Sequence, residues 1–170
     1  TEINRVCFQG NPDKYRVTKI ELLTAKGFDV DVYGIGWQRT RLSRNKRVRI
    51  FGIASRPEFW KKNQQYRLQL NLFRQHNFGS HNMRTFEIPA VGGVQLAPYS
   101  EEQSAFFEDS REIYFFYDDD DLIDKVRKIL SLPPEAIRAV RASARKRSME
   151  AGYSFEDRAL LVYNTFKQLL

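Results

Sequence analysis

Hydrophobic and polar positions along the chain follow two alternating periods. Short β-branched and aromatic runs predict six strands, at 5–9, 28–33, 48–52, 68–73, 94–97 and 112–117. Between and after them, apolar residues at helical spacing predict helices at 13–26, from Pro57, and at 82–91, 119–131, 134–151 and 154–169. Strands separated by helices require right-handed crossovers. The pattern therefore predicts an α/β fold: a doubly wound, mostly parallel sheet with helices on both faces and a helical C-terminus.

Length and composition fit one domain spanning residues 1–170. The 170 residues are 42% hydrophobic, enough to form a core, so intrinsic disorder is excluded. The single cysteine, Cys7, excludes an internal disulfide framework, and we expect it to be a small core residue in a cytoplasmic protein. No apolar run is long enough to cross a bilayer. The chain begins with Thr1 rather than Met, so we expect it to be a piece of a longer protein.

Charge is distributed unevenly along the sequence. Residues 1–100 carry a net charge of +10 and residues 101–170 a net charge of −3. No acidic residue occurs from 32 to 57 or from 59 to 86, whereas the 39–49 segment carries six basic residues. Such a field attracts phosphates, nucleic acid or anionic lipid, although an ordinary solvated surface explains the 39–49 cluster equally well.

Candidate ligand-binding residues follow the predicted strands, because ligands of open parallel sheets bind at the carboxyl ends of the strands. These loops hold glycines, amides and cations: Gly10, Asn11 and Arg16 after the first strand, Gly34, Gly36 and Trp37 after the second, and Arg74 with 76–84 after the fourth. Such residues suit phosphates and nucleobases better than hydrolysis. Neither a dinucleotide fingerprint nor a Walker A motif is present.

A metal site is not expected from the sequence. The two histidines, His76 and His81, are five residues apart and lack a zinc-type spacing. The acidic run 118–121 could bind a metal or cap a helix, and capping is favoured because the run begins a predicted helix.

Residues 80–93 form the most informative segment. Ser80, His81 and Asn82 precede a predicted helix, whose free N–H groups suit a diphosphate. Arg84 places a cation in the first turn, where the helix dipole disfavours it, and this suggests an anionic partner. Glu87 could accept hydrogen bonds from two ribose hydroxyls. A capped amphipathic helix with a solvated Glu87 explains the same residue types, so both interpretations stay open.

The same segment resembles a known family. Asn71-Leu72 together with 82–93, NMRTFEIPAVGG, is similar to the group 1 glycosyltransferases, in particular their CgeB-like (spore maturation protein) branch. Weaker matches occur in the expected order at 6–11 (VCFQGN) with Arg16, at 33–37 (YGIGW), at 113–121 and at 153–158 (YSFEDR). The resemblance covers nearly the whole chain.

The resemblance implies a GT-B enzyme, in which two Rossmann-like domains enclose the active site. This chain would be the C-terminal, nucleotide-sugar-binding half, and would lack the N-terminal Rossmann-like domain. The expected activity is hexosyl transfer from a nucleotide diphosphate sugar to a hydroxyl of a glycan or glycolipid acceptor, without cofactor or metal. The fragment alone is expected to be inactive, and peripheral membrane association is a further expectation.

By the same resemblance, Glu87 binds the ribose of the donor. Arg84 and Arg16 would be catalytic, because they stabilise the charge that develops on the departing diphosphate. The remaining expected donor-binding residues are Gly10, Asn11, Gly36, Trp37, Ser80, His81, Asn82 and Thr85. Gly79 stands where many family members carry a second glutamate, so the stereochemistry stays open.

Two rival hypotheses remain at this point. One is a non-catalytic, basic α/β module for RNA or an anionic surface, based on the 39–49 cluster with Trp37, Phe51 and Trp60 nearby. Because those aromatic residues are spaced like core residues, nucleic acid is not the expected partner. The other is a degenerate, inactive glycosyltransferase domain.

Overall fold

The computed structural model describes residues 2–169, which form one six-stranded, entirely parallel sheet. The strands are β1 Ile3–Gln9, β2 Val30–Tyr33, β3 Val48–Phe51, β4 Tyr66–Leu70, β5 Gln95–Pro98 and β6 Tyr114–Phe116. Their order is β3-β2-β1-β4-β5-β6, so the chain starts at the centre, builds one side outward, then crosses back and builds the other. The predicted doubly wound sheet is confirmed.

The helices connect the strands and then extend the chain beyond the sheet. They are α1 Lys14–Ala25, α2 Arg56–Gln65, α3 Met83–Ala90, α4 Glu101–Phe106, α5 Asp119–Ser131, α6 Pro134–Glu150 and α7 Phe155–Leu169. Only α4 escaped prediction from sequence. Its six residues are too few to show a helical period, and the signal at its start is the cap, where the Ser100 side chain accepts a hydrogen bond from the Gln103 N–H.

The two faces of the sheet differ in chemistry. One face is aliphatic and aromatic, and it packs against α1, α5 and α6 in the main core. The other carries buried polar side chains, because alternate residues of a strand point to opposite sides. In β4 and the residue after it, Leu68 and Leu70 belong to the core whereas Gln69 and Asn71 are buried polar groups.

Two expectations about individual residues are confirmed. Cys7 is completely buried in β1, and this burial raises the pKa of its thiol. Asp118 caps α5, since its side chain accepts a hydrogen bond from the Asp121 N–H at 2.9 Å.

The last helix, α7, contrasts with the rest of the fold. None of its described residues is buried, and its large apolar side chains, among them Phe155, Leu161 and Phe166, are 54–82% exposed. Within residues 2–169, no helix combines the length and apolarity that crossing a membrane requires.

Candidate functional site

A cavity of about 370 Å³ lies at the carboxyl ends of β1 and β4. Parallel strands bring the loops that follow them to one edge of the sheet, which is why residues distant in sequence meet here. Its lining residues are mainly amides and arginines: Phe8, Gln9, Gly10, Asn11, Arg16, Asn71, Leu72, Arg74, Asn77, Asn82, Met83 and Arg84. Five of the eleven residues expected at a donor site therefore line one cavity.

Two glycines allow the loops after β1 and β2 to touch. Gly34 has φ +147°, and a Cβ there would lie 2.5 Å from the carbonyl oxygen of Gly10. The Asn11 side chain accepts a hydrogen bond from the Ile35 N–H at 2.9 Å, which joins the two loops. Gly10 and Asn11 thus build the wall of the cavity, and the glycine pattern reflects a close backbone approach.

Trp37 supports this wall from the protein interior but does not form its surface. Its ring is completely buried against Phe8, and its indole N–H donates to the Gly10 carbonyl oxygen at 2.8 Å. Gly36 has φ +100° and packs on Pro12, and it does not line the cavity. Gly36 and Trp37 were expected to bind the donor, but the structure places neither of them in the lining of this cavity.

The N-terminus of α3 is fixed by a pair of asparagines. Asn82 caps the helix, since its Oδ1 accepts a hydrogen bond from the Thr85 N–H at 3.2 Å. The Asn82 and Asn71 side chains also exchange two hydrogen bonds, of 2.9 and 3.2 Å. Asn71 therefore holds the start of α3 against the end of β4.

The remaining polar residues before and within α3 do not line this cavity. Thr85 is completely buried, and its hydroxyl serves the helix cap and Gln103. Ser80 donates to Glu102 at 2.6 Å, and the His81 Nδ1 lies 2.9 Å from the same carboxylate. Ser80, His81 and Thr85 therefore shape the loop and helix, and the structure gives them no direct contact with the cavity.

Glu87 does not line this cavity but lines a second cleft that adjoins it. This cleft, of about 730 Å³, is lined by aromatic side chains that include Phe86 and Tyr153, and also by Glu87. Met83 lines both spaces, so they adjoin at the start of α3. The Glu87 carboxylate is 3.7 Å from Nη1 of Arg84, and it is partly exposed and accessible to a ligand.

Arg84 links α3 to the central strand. Its Nε donates to the carbonyl oxygen of Gln9 at 2.9 Å, and its guanidinium lies 5.0 Å from the centre of the Phe59 ring. These contacts hold the guanidinium in the cavity wall at the first turn of α3. The cation that the helix dipole disfavours is thus fixed by other contacts, and its side chain remains part of the anion-attracting surface.

Arg16 forms more hydrogen bonds within the protein than its position in the sequence suggested. Its Nε and Nη2 donate to the carbonyl oxygen of Leu72 at 3.1 and 2.9 Å, and its Nη1 donates to that of Asn11 at 3.0 Å. Burial lowers the pKa of Arg16, and the positive charges of Arg74 and Arg84 contribute to the same direction. Arg16 therefore clamps the loops after β1 and β4 while adding positive charge to the cavity.

Asn71, Arg74 and Asn77 also line the cavity, although none of them was among the eleven residues expected at the donor site. The alternation of the LQLNL segment places Asn71 on the polar face of the sheet, and this signal could have identified it. Within residues 2–169 no group of three or more His, Cys, Asp and Glu side chains is placed to hold a metal ion.

Half of the cations of the basic 39–49 cluster form ion pairs within the fold. Three of its six cations form ion pairs, Arg41 with Glu21, Arg47 with Asp29 and Arg49 with Asp31. Of the three aromatic residues near it, Trp37 is buried and Phe51 stacks on Tyr33 at 4.7 Å, whereas Trp60 is 46% exposed. The structure therefore does not present the row of free aromatic rings that a single-strand platform needs.

A parallel Rossmann-like sheet with a cationic cavity at its carboxyl edge is the architecture of a nucleotide-binding domain. The family model described as "Glycosyl transferase-like" matches residues 16–162. The chain belongs to this glycosyl transferase-like family. A search of curated protein sequences gave no significant match.

Solved structures of GT-B glycosyltransferases share the fold. TarM from S. aureus has a TM-score of 0.71 at 18% identity, with 97% of this chain and 35% of TarM covered. Sucrose-phosphate synthase from Thermosynechococcus elongatus has a TM-score of 0.73 at 16% identity (97% and 45% covered). HepE from Anabaena, in complex with UDP and glucose, has a TM-score of 0.69 at 12% identity (97% and 49%). This chain spans a third to a half of the length of these proteins.

Proposed function

We propose that this chain binds a nucleotide diphosphate sugar as the donor domain of a two-domain glycosyltransferase. The observation that carries the proposal is the cationic cavity, in which Arg84 and the capped N-terminus of α3 face the loop after β1. Free N–H groups at a helix start, together with arginines, form an anion site suited to a diphosphate. Membership of the glycosyl transferase-like family and the UDP bound to HepE support a nucleotide as the anion.

The proposed ribose contact is Glu87. Its carboxylate is one helical turn from Arg84, and it is accessible in the adjoining second cleft. A diphosphate at the start of α3 would place the attached ribose next along the helix, where two vicinal hydroxyls could donate to one carboxylate.

The proposed chemistry is sugar transfer. The bond between the sugar C1 and the β-phosphate oxygen breaks, and its electron pair stays on the diphosphate. The acceptor hydroxyl oxygen forms the new bond to C1 and releases its proton to a base supplied by the second domain. The negative charge that develops on the diphosphate is stabilised by Arg84, by the more distant charge of Arg16 and by the N–H groups of α3.

Exposed apolar side chains at the site edge support the need for a second domain. Large hydrophobic residues follow several of the strands and are 38–69% exposed: Ile35, Ile53, Phe78, Met83, Tyr99 and Tyr117. Unpartnered apolar groups around a polar cavity are typical of an interface. We propose that an N-terminal Rossmann-like domain covers this edge and closes the site, and that the chain without it is inactive.

The finer features of the proposal rest on the resemblance to the CgeB-like branch. They are hexosyl transfer to a glycan or glycolipid acceptor, no metal or other cofactor, and action in the cytoplasm with peripheral membrane association. A metal is unnecessary in this scheme, because protein cations neutralise the diphosphate.

Calorimetric titration of the chain with UDP, GDP, CDP and dTDP tests the donor site. We expect one of them to bind and Glu87→Ala to weaken its binding about 10-fold or more, because a charge-assisted hydrogen bond contributes about 1.5–3 kcal/mol. The 2′-deoxy form of the bound nucleotide should lose less affinity in the variant than the ribo form.

Glu101→Ala is the matched control, since this exposed carboxylate lies in the first turn of α4, away from the cavity. Absence of binding by all four nucleotides at millimolar concentration would exclude the donor site. Equal binding by Glu87→Ala would exclude its ribose contact. A steep salt dependence with RNA but no nucleotide binding would favour the nucleic-acid module instead.

A further inference from the structure

The cavity holds three arginines, and two of them are committed to the protein. Arg16 makes three hydrogen bonds to the carbonyl oxygens of Leu72 and Asn11. Arg84 donates to the Gln9 carbonyl oxygen and lies 3.7 Å from Glu87. A guanidinium so engaged has fewer N–H groups left for a ligand, although its charge still acts on the cavity.

Arg74 is the third, and its side chain differs from the other two. The residue lines the cavity from the segment after β4 and is exposed. Its guanidinium forms no hydrogen bond or ion pair with any residue of the described chain, 2–169. All five of its N–H donors are therefore available to a ligand.

The backbone that carries Arg74 is nevertheless anchored. Its carbonyl oxygen accepts a hydrogen bond from the Asn77 N–H at 2.9 Å. Further along the same loop, Phe78 packs edge-on against Tyr15 at 4.9 Å, and the Ser80 carbonyl oxygen accepts from Ser100 at 2.9 Å. The loop thus holds the Cα of Arg74 at the cavity rim while the guanidinium remains free.

Carboxylates balance the positive charge of this cavity only in part. Arg16 lies 3.4 Å from Asp13, which does not line the cavity, whereas the Arg74 side chain forms no ion pair within residues 2–169. Arg74 and Arg84 both disfavour the positive charge of Arg16, in addition to its burial. Glu87 lies beyond Arg84, on the side of the second cleft. Two negative charges on a bound ligand would relieve this repulsion, and a guanidinium binds phosphate oxygens in a bidentate way.

We propose that Arg74 is a catalytic residue that binds the terminal phosphate of the nucleotide diphosphate, the one that leaves with the bond electrons. This inference rests on the proposed function. Arg74 belongs to the segment that Arg16 clamps through Leu72, and not to the helix that carries Glu87. If the ribose binds at Glu87 and the first phosphate lies near Arg84, the terminal phosphate lies at Arg74.

The test compares ligands that differ by one phosphate. Uridine, UMP and UDP (or the guanosine series, where GDP binds more tightly) are titrated by calorimetry into wild type, Arg74→Gln and Arg74→Lys. We expect Arg74→Gln to lower UDP affinity 10- to 100-fold while UMP affinity changes less than 3-fold. Arg74→Lys should retain part of the difference, because it keeps the charge but not the bidentate geometry.

Arg44→Gln is the control, because it removes an equally exposed cation from the 3₁₀ turn Arg41–Arg44, outside the cavity. It should leave the affinities for UDP and UMP unchanged. If wild type binds UDP and Arg74→Gln binds it equally, or loses UMP and UDP to the same extent, Arg74 does not bind the terminal phosphate. If wild type binds no nucleotide, the donor site itself is excluded, and the role of Arg74 with it.

Discussion

The two faces of the sheet contribute differently to the stability of the fold and to the candidate site. The aliphatic face packs Leu68, Leu70 and Leu96 into a sealed core. The opposite face buries amides and a carboxylate, among them Asn71 and Asp31, and its hydrogen bonds run to the cap of α3. Burial of apolar area supplies stability with little directional demand, whereas hydrogen bonds require fixed geometry. We therefore expect changes on the aliphatic face to alter stability alone, whereas changes on the polar face should also alter ligand binding where they reach the cap of α3.

The largest effect is expected on the polar face, at Asp31. This carboxylate is completely buried and accepts hydrogen bonds from Arg5 at 2.7 Å, from Tyr66 at 2.5 Å and from Arg49. Asp31→Asn removes a buried charge and leaves the arginines without their partner. We expect a loss of about 3–5 kcal/mol in the free energy of unfolding, measured by urea denaturation. Asp120→Asn, at the exposed start of α5, should change it by less than about 0.5 kcal/mol.

The dependence of stability on acidic pH should also show the contribution of Asp31. Burial raises the pKa of Asp31, but hydrogen bonds from Arg49, Tyr66 and Arg5 outweigh it and hold that pKa below its usual 3.8. A lowered pKa in the folded state stabilises the protein above about pH 4, and this stabilisation is lost as pH falls below 3.8 toward the folded-state pKa. Wild type should therefore lose more stability in that range than Asp31→Asn. Parallel curves for the two proteins would contradict this origin of the acid sensitivity.

Substitutions on the aliphatic face should lower the free energy of unfolding without altering ligand binding. Leu70 is 2% exposed in the main core, so Leu70→Ala should cost about 2–5 kcal/mol through the lost contacts and the cavity left behind. Leu70→Met, which nearly conserves volume, should cost less than about 1.5 kcal/mol. Below the unfolding transition, both variants should keep the wild-type affinity for the nucleotide. A large loss of affinity in a folded Leu70→Met variant would break the proposed division between the faces.

A smaller stability effect but a clear binding effect is expected at Asn71. Asn71→Leu leaves the Asn82 Nδ2 and the Gln95 Oε1 without a hydrogen-bonding partner, at a cost of about 1–3 kcal/mol. Because Asn82 caps α3, its release should also weaken nucleotide binding, as calorimetry would show. Asn71→Asp keeps the acceptor for the Asn82 amide and should restore part of the affinity. Wild-type affinity in Asn71→Leu would show that Asn71 is not needed to hold the cap.

The fold could be predicted largely from sequence because its signals are local. Alternation in LQLNL, glycines after strands and caps such as Asp118 each act within a few residues. β1 and β4 begin two residues earlier than predicted, β2 and β6 begin two residues later, and β4 ends three residues earlier. The helix α4 was missed because six residues show no period. The predicted order and type of the remaining strands and helices agree with the structure.

The candidate site was less predictable because its contacts are long-range. Sequence reasoning identified Arg16 and Arg84 in the loops, but the hydrogen bonds from Arg16 to Leu72 and from Arg84 to Gln9 span 56 and 75 residues. Such contacts decide which donors remain free for a ligand. The same holds for Trp37: its position after β2 made it a candidate donor-binding residue, but its ring packs on Phe8.

The parallel arrangement of the six strands also bears on how such a protein can diverge. The core constrains its positions only to be apolar and of suitable size, and the loops that bind ligands all emerge at one edge. Substitutions in those loops can alter ligand preference without disturbing the scaffold. A fold built in this way can be formed by very different sequences, as the fold shared with solved structures at 12–18% identity illustrates.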